Sequence, residues 1–133
     1  MKLKALFLVA ATLAGTAGAR AAVTESQFPP KTVRDLVTLC SAGKDDPMMT
    51  GAVNYCHGFV EGAVIVELAH EKQRGARKLF CLPNPSPASD AELANFSSWA
   101  NQDPSRLDSP AVDGMFMYLA IRYPCETVGR TRK

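Results

Sequence analysis

We expect the other helices of the domain to pack against residues 52–71, AVNYCHGFVEGAVIVELAHE. At about 100° per residue, their apolar side chains cover most of a helical wheel. This pattern predicts a helix that is buried on two faces at the centre of a small helical domain. Gly58 and Gly62 lie one turn apart, and each weakens a helix by about 1 kcal/mol relative to alanine. We therefore expect a neighbouring backbone to approach this central helix closely at the two glycines.

The N-terminal residues 1–21 have the pattern of a secretory signal peptide. Lys2 and Lys4 precede an apolar run that is too short to span a bilayer, and small residues follow it. Cleavage is expected after Ala21, with the point after Ala19 as the alternative. No later stretch is long enough for a membrane span, so we expect a soluble periplasmic protein without membrane insertion. Loss of this segment lowers the net charge from +2 to −1, which does not favour nucleic acid as a partner.

Capping and stop signals predict the helix that precedes the central one. Thr32 and Asp35 form a capping-box pattern, and apolar residues at helical spacing follow over residues 32–42. Gly43 stands where a glycine commonly ends a helix. Residues 22–31 are expected to form an extended lead-in, because two consecutive prolines disfavour helix before them.

The central helix could start before residue 52, because the Asp46-Pro47 pair could cap an earlier start.

Similar signals predict two later helices. Ser89, with a glutamate three residues later, predicts a capped helix over residues 89–101. A serine and proline at 109 and 110 start the last helix, which another proline ends near residue 123. Residues 126–133 are expected to be a flexible basic tail.

Four cysteines, Cys40, Cys56, Cys81 and Cys125, indicate disulfides, because their number is even and the small domain is expected to be exported. In an up-and-down bundle, Cys40 comes beside Cys56 at one pole and Cys81 beside Cys125 at the other. A bond between Cys56 and Cys81 is hard to build, because the central helix carries the chain about 25 Å away. The crossed pairing of Cys40 with Cys81 stays open. The wide cysteine spacing does not fit a zinc site, and we expect no metal and no cofactor.

Two groups on the central helix are candidates for chemistry. His57 and Glu61 lie one turn apart and could be a general-base pair or two metal ligands, although an exposed i,i+4 pair explains them without chemistry. Glu67 falls inside the apolar arc, so its carboxylate would need a cation such as His70, Arg74 or Arg122. We expect a structural ion pair there and no catalysis.

Four motifs in chain order resemble the Rap/Tai family of immunity proteins: TLC at 38–40, YCHGFVEG at 55–62, FCLP at 80–83 and YPC at 123–125. The likeness covers residues 32–125. It implies an all-α, disulfide-bridged four-helix domain with an HdeA-like fold. It also implies a non-enzymatic periplasmic immunity protein that neutralises a peptidoglycan amidase effector of type VI secretion and that forms a homodimer.

Such immunity proteins are expected to block the active-site cleft of their effector with loop residues. We therefore expect the exposed turns 84–89 and 101–108 to bind the partner. The residues expected to do so are Asn84, Ser86, Ser89, Gln102, Asp103, Arg106 and Asp108.

The same likeness leaves two rival functions open. An HdeA-like acid-stress chaperone would expose apolar surface when its carboxylates become protonated. A small hydrolase would use His57 and Glu61. Dye binding at low pH separates the first rival from an occluding inhibitor, and alanine substitution of the pair tests the second.

Overall fold

The structure, a computed structural model, describes residues 21–74 and 77–125. Within these residues the fold is all-α, and an isolated bridge between Thr32 and Pro110 is its only strand-like pairing. The helices are α1 (Val33–Cys40), α2 (Met49–Arg74), α3 (Ser89–Asn101), α4 (Pro104–Leu107) and α5 (Ala111–Arg122). The predicted small disulfide-bridged helical domain is confirmed, and α4 is a short helix that the sequence placed inside a turn. No helix of the described part is long and apolar enough to cross a membrane.

The other helices pack around α1. This helix contacts α2, α3, α4 and α5. Its inner face is removed from solvent because apolar residues recur at helical spacing, and these residues are Val33, Leu36, Val37 and Leu39. The short α1 therefore holds the centre of the domain, where the sequence placed the longer α2.

The prediction that α2 is buried on two faces is wrong for its second half. Ala52 and Cys56 in the first half are buried, whereas Ile65 and Val66 are 65% and 68% exposed. The reason is length: α2 has 26 residues and spans about 39 Å, whereas α1 has 8 residues and spans about 12 Å. The short helix cannot cover the second half of the long one.

The expected close approach at Gly58 and Gly62 is also wrong. Both glycines lie on the exposed side of α2, and a methyl group added to either would meet nothing within 4 Å among the described residues. The glycine at a close contact is Gly114 in α5. An added Cβ at Gly114 would overlap Cγ2 of Val33 in α1.

The capping box at the start of α1 is formed as predicted. The Asp35 amide donates to Thr32 Oγ1 at 3.2 Å, and the Thr32 amide donates to Asp35 Oδ2 at 3.0 Å. The helix ends at Cys40, two residues before its predicted end, with Ser41 as its C-cap. Gly43 therefore does not end α1; its carbonyl instead accepts the amide hydrogen of Asp46 at 3.0 Å, in the turn that leads to α2.

Asp46 accepts hydrogen bonds both from the turn before α2, which begins at Met49, and from the N-terminal segment. Its Oδ1 accepts from the Met48 amide at 2.8 Å, and its Oδ2 accepts from the Val23 amide at 2.7 Å. The predicted extended lead-in over residues 22–31 is wrong at Glu25–Gln27, which forms a 3₁₀ turn. The turn forms because the Gln27 side chain accepts from the Thr24 amide at 2.7 Å.

The structure pairs Cys40 with Cys56 and Cys81 with Cys125. The first bridge joins the end of α1 to the first half of α2. The second joins the segment after α2 to the residues after α5, where the Cys81 amide also donates to the Tyr123 carbonyl at 2.8 Å. The first bridge thus ties two helices together, and the second ties two non-helical segments that follow α2 and α5. The predicted signal peptide, except Ala21, and the predicted tail 126–133 lie outside the described residues.

Candidate partner interface

The two turns predicted to bind a partner lie at opposite ends of α3. Residues 84–89, the proline turn, lead into the helix, and residues 101–108, the α4 turn, follow it. Since α3 has 13 residues, its two ends are about 18 Å apart. The predicted residues therefore form two patches, which the outer face of α3 connects.

Most of the predicted partner residues reach the surface. Those in the proline turn are Asn84 and Ser86, both exposed, and Ser89, which is half-buried. Those in the α4 turn are the exposed Gln102 and Asp108 and the half-buried Asp103 and Arg106. Partner binding by these seven residues stays a prediction.

Ser89 does not cap α3 as the sequence predicted. The N-cap is Ala88, and no side chain caps the helix there. A hydrogen bond instead joins the Ser89 hydroxyl to Nδ1 of His57 in α2 at 3.1 Å. Nε2 of the same ring lies 3.1 Å from Oδ1 of Asp90. The histidine therefore fixes the start of α3 against α2, and it does not pair with Glu61 as the sequence suggested.

The grouping of Ser89, His57 and Asp90 contains the residue types of a hydrolase triad but not its environment. In such a triad, a buried carboxylate orients the histidine and stabilises its charged form. The Asp90 side chain is 92% exposed, so water screens its charge. The arrangement is suited to joining two helices, and it gives no support to the predicted alternative of a hydrolase.

Arg106 makes the α4 turn rigid. Its guanidinium lies 4.5 Å from the centre of the Trp99 ring, and its Nη1 donates to the Trp99 carbonyl at 2.6 Å. The Nε atom lies 3.7 Å from Oδ2 of Asp103. One arginine side chain thus ties the turn to the end of α3 by a cation–π contact, a hydrogen bond and an ion pair.

Asp103 and Asp108 hold the two ends of α4. The Asp103 carboxylate accepts from the Ser105 amide at 3.0 Å and from the Ser105 hydroxyl at 2.7 Å, and these hydrogen bonds lower the pKa of Asp103. Asp108 accepts from Arg34 of α1 at 2.7 Å. The α4 turn is therefore anchored to both α3 and α1.

A groove of about 830 Å³ runs between α1 and α3 and connects the two turns. His57 and Asp90 line it near the proline turn, and Asn101 and Leu107 line it near the α4 turn. Polar side chains on its walls can hydrogen-bond an extended partner segment, and the exposed ones are Ser98 and Asn101.

The glutamate that is buried in α2 is not the one that the sequence predicted. Glu67 is half-buried, and the ion pairs between described side chains do not include it. Glu71, one turn later, is the buried acid: it is 7% exposed, and its Oε1 has no hydrogen-bond partner among the described residues. The buried acid therefore lies one turn further along the same face of α2 than the sequence predicted.

Two residues of this surface were missed by sequence reasoning. Trp99 was assigned to the apolar stripe of α3, and nothing in the stripe shows that its ring supports Arg106. Arg34 was assigned no role, because its partner lies 74 residues away in sequence. The spacing of Asp103 and Arg106 is the one sequence signal that could have predicted an ion pair in the α4 turn, because residues three apart on a helix can form such a pair.

The described residues contain no group of three or more acids, histidines and cysteines that could hold a metal ion. What the surface offers instead is two rigid, polar turns and a groove that connects them. A surface of this kind can dock against another protein.

Comparison with known proteins identifies the family. The family model of the Rap1a immunity proteins matches residues 32–125, from the N-cap of α1 to the last disulfide. Searches of curated proteins and of solved structures gave no match. The match covers well over half of the chain and includes both turns and both disulfides. The chain therefore belongs to the family of Rap1a immunity proteins, whose members act by binding a partner effector protein and not by catalysis.

Proposed function

We propose that this protein is a periplasmic immunity protein of type VI secretion that binds a peptidoglycan amidase effector and occludes its active site. The observation that carries the proposal is the family match over residues 32–125. Two disulfides within that range support an exported protein, because disulfides persist in oxidising compartments.

The geometry supports occlusion by docking of a preformed surface. Arg106, Asp103 and Asp108 hold the α4 turn in place through contacts within the chain. A turn that is already ordered loses little conformational entropy when it binds. We propose that the α4 turn enters the amidase cleft, while the proline turn and the outer face of α3 contact the rim of that cleft.

We also propose that the protein acts as a homodimer. Large apolar side chains exposed on α2 and α5 support this, because association of two copies would remove such side chains from water. They are Val66 on α2 and Met117 and Ile121 on α5, each more than half exposed. Light scattering after gel filtration tests the proposal: Ile121→Lys should convert a dimer into a monomer, whereas a monomeric wild-type protein would contradict it.

The function is tested by expressing the full chain, with its own N-terminal segment, together with each amidase encoded beside it, the amidase being directed to the periplasm. Suppression of lysis by one pair, and a complex of that pair by gel filtration, are the expected results. Lysis with every candidate amidase would contradict the proposal.

The docking surface is tested with matched substitutions. Gln102→Arg places a bulky cation on the α4 turn and should weaken binding by about tenfold to thirtyfold, which is the effect of losing about 1.4–2 kcal/mol. Gln73→Arg makes the same change at an exposed position of α2 and should leave the affinity unchanged. Equal affinities for the two variants would exclude the α4 turn from the interface.

A further inference from the structure

A second groove, of about 280 Å³, lies where α2, α3 and α5 meet the proline turn. It is smaller than the pockets of ~300–1,000 Å³ that hold drug-sized ligands, but it has room for one long side chain. Its walls are apolar and include Val60, Val64, Leu82, Phe96, Met115 and Leu119. An apolar stem of several carbons would therefore lose contact with water inside it.

The charge on this groove has one sign. Of the described residues that line it, only Glu61 and Glu92 are charged. Glu92 is held in place, because its Oε2 accepts from the Tyr118 hydroxyl at 2.9 Å and its Oε1 accepts from Nδ2 of the Asn95 side chain at 3.4 Å. Glu61 is exposed on the α2 side. The groove thus combines an apolar interior with two carboxylates on different helices.

Tyrosine rings complete the lining beside Glu92. Tyr118 and Tyr123 both border the groove, and the Arg122 guanidinium already lies 5.6 Å from the centre of the Tyr123 ring. Burial, with a further contribution from the hydrogen bond to Glu92, raises the pKa of Tyr118 to about 12. Aromatic faces and carboxylates together attract cations.

We propose that this groove binds one lysine or arginine side chain of the effector, with its methylene stem along Val60, Val64 and Leu119 and its charged head between Glu61 and Glu92. Long cationic side chains commonly bury their stems in this manner and keep the charge at a polar edge. The proposal rests on the proposed function for the identity of the partner. It places this contact next to the proline turn, because Ser86 and Pro87 of that turn also line the groove.

The first experiment uses peptides and needs no effector. The full chain, expressed with its own N-terminal segment and labelled with ¹⁵N, is titrated with Ac-Gly-Gly-Lys-Gly-Gly-NH₂. Two matched peptides replace lysine by norleucine, which keeps the stem without the charge, and by diaminobutyrate, which keeps the charge on a shorter stem. We expect amide shifts at groove residues, with the lysine peptide binding at least threefold more tightly than either analogue.

Substitutions then assign the two parts of the site. Glu61→Gln should weaken binding of the lysine peptide by about two- to fivefold, as expected for one exposed ion pair, and should not change binding of the norleucine peptide. Asp113→Asn neutralises an exposed carboxylate of α5 that does not line the groove, and it should change neither. Equal binding of all three peptides, or shifts outside the groove, would overturn the proposal.

The second experiment uses the effector and separates this proposal from the proposed function. Glu61→Lys should weaken the complex with a neutralised amidase at least tenfold, and one lysine-to-glutamate or arginine-to-glutamate change on the amidase should restore it. Neutralisation at wild-type potency by Glu61→Lys would overturn the groove contact and leave the immunity function standing. Peptide binding by a chain that binds no amidase would support the groove's preference and reject the proposed function. A change of oligomeric state in Glu61→Gln would assign the groove to a second copy of the chain and overturn the proposal.

Discussion

Gly114 of α5 lies directly against Val33 of α1, so closely that a Cβ on the glycine would overlap Cγ2 of the valine. Backbone hydrogen bonds fix the two helices at this separation. The Val33 amide donates to the Ser109 carbonyl at 2.9 Å, and the Ala111 amide donates to the Lys31 carbonyl at 3.0 Å. Val33 is fully buried, so its side chain cannot turn out into solvent without giving up its core contacts. The contact therefore fixes the distance between α1 and α5.

Gly114→Ala should lower the free energy of unfolding by about 1–3 kcal/mol, because it overpacks this contact. Gly62→Ala is the matched control: it makes the same change in a helix interior where the added methyl group meets nothing described within 4 Å. It should raise the free energy of unfolding by about 0.5–1 kcal/mol through helix propensity. Urea denaturation of both variants measures the difference, and stabilisation by Gly114→Ala would contradict the packing described above.

The sequence predicts local features of this fold but not which residues of different helices come into contact. Helix positions, the capping box of Thr32 and Asp35 and the favoured cysteine pairing could be predicted, because each depends on residues near each other in sequence or on simple helix length. The tight glycine could not, because periodicity shows which glycines lie in a helix but not which partner faces them. Gly58 and Gly62 drew attention as a pair, yet Gly114 is the one that needs to lack a side chain.

The candidate site was predictable only in outline. The turns 84–89 and 101–108 were identified from prolines and polar residues, and both lie at the surface. Their internal contacts were not predictable, since Arg106 stacks on an aromatic ring and Asp108 pairs with a residue of α1 that is distant in sequence. Ser89 and His57 were assigned to separate roles, although the folded chain brings them within 3.1 Å.

Removal of each disulfide should destabilise the protein by an amount that depends on loop length. The Cys40–Cys56 bridge spans 16 residues and the Cys81–Cys125 bridge spans 44 residues. In the chain-entropy model, these loops correspond to about 3 and about 4 kcal/mol. Urea midpoints of the two double serine variants measure the effect, with the larger loss expected for Cys81 and Cys125. The reverse order would show that native packing around the bridges outweighs loop entropy.

Asp35 should make stability depend on acid pH. Burial raises the pKa of its carboxyl, but hydrogen bonds from Thr32 and from the Lys31 amide outweigh burial and leave the pKa below the usual value of 3.8. Because the folded-state pKa is the lower one, the ionised Asp35 stabilises the fold above pH ~4, and this contribution is lost as the pH falls further. Asp35→Asn should cost about 0.3–1 kcal/mol at pH 7 and should flatten the decline in stability below pH ~4.

Asp113→Asn is the control for this pH effect. Asp113 also lies in the first turn of its helix, α5, but it is exposed and accepts none of the hydrogen bonds seen for described side chains. Unfolding measured by circular dichroism at several pH values should show no change in slope for this variant. Identical pH profiles for the Asp35 variant and the wild type would remove the capping box as the cause.

The hydroxyl of Tyr118 should lose its proton at a pH well above that of an ordinary tyrosine. Burial, followed by the hydrogen bond to Glu92, raises its pKa to about 12. Since the folded-state pKa exceeds the unfolded value of 10, this group stabilises the fold below pH 10, and the contribution is lost as the pH rises towards 12. Glu92→Gln should lower the pKa of Tyr118 but not to 10, because burial remains. Ultraviolet difference spectra follow the titration, and Glu61→Gln, which changes a carboxylate that does not contact Tyr118, should leave it unchanged.

Arg106 should affect partner binding more than stability. Its contacts with Trp99 and Asp103 order the α4 turn, which is proposed to enter the amidase cleft. Arg106→Ala should release the turn, so that binding must then order it, and the affinity for the effector should fall about tenfold. The free energy of unfolding should fall by only about 1 kcal/mol, because Arg106 is half-exposed and supports one short helix. Arg106→Lys should not restore binding, since an ammonium group cannot stack on Trp99 and also reach Asp103 as the planar guanidinium does.

Arg77→Ala, which removes an exposed arginine outside α3 and α4, is the control for loss of charge. Calorimetric titration with the effector measures the affinities, and a loss of affinity no greater than the loss of stability would show that the order of the turn does not matter for docking.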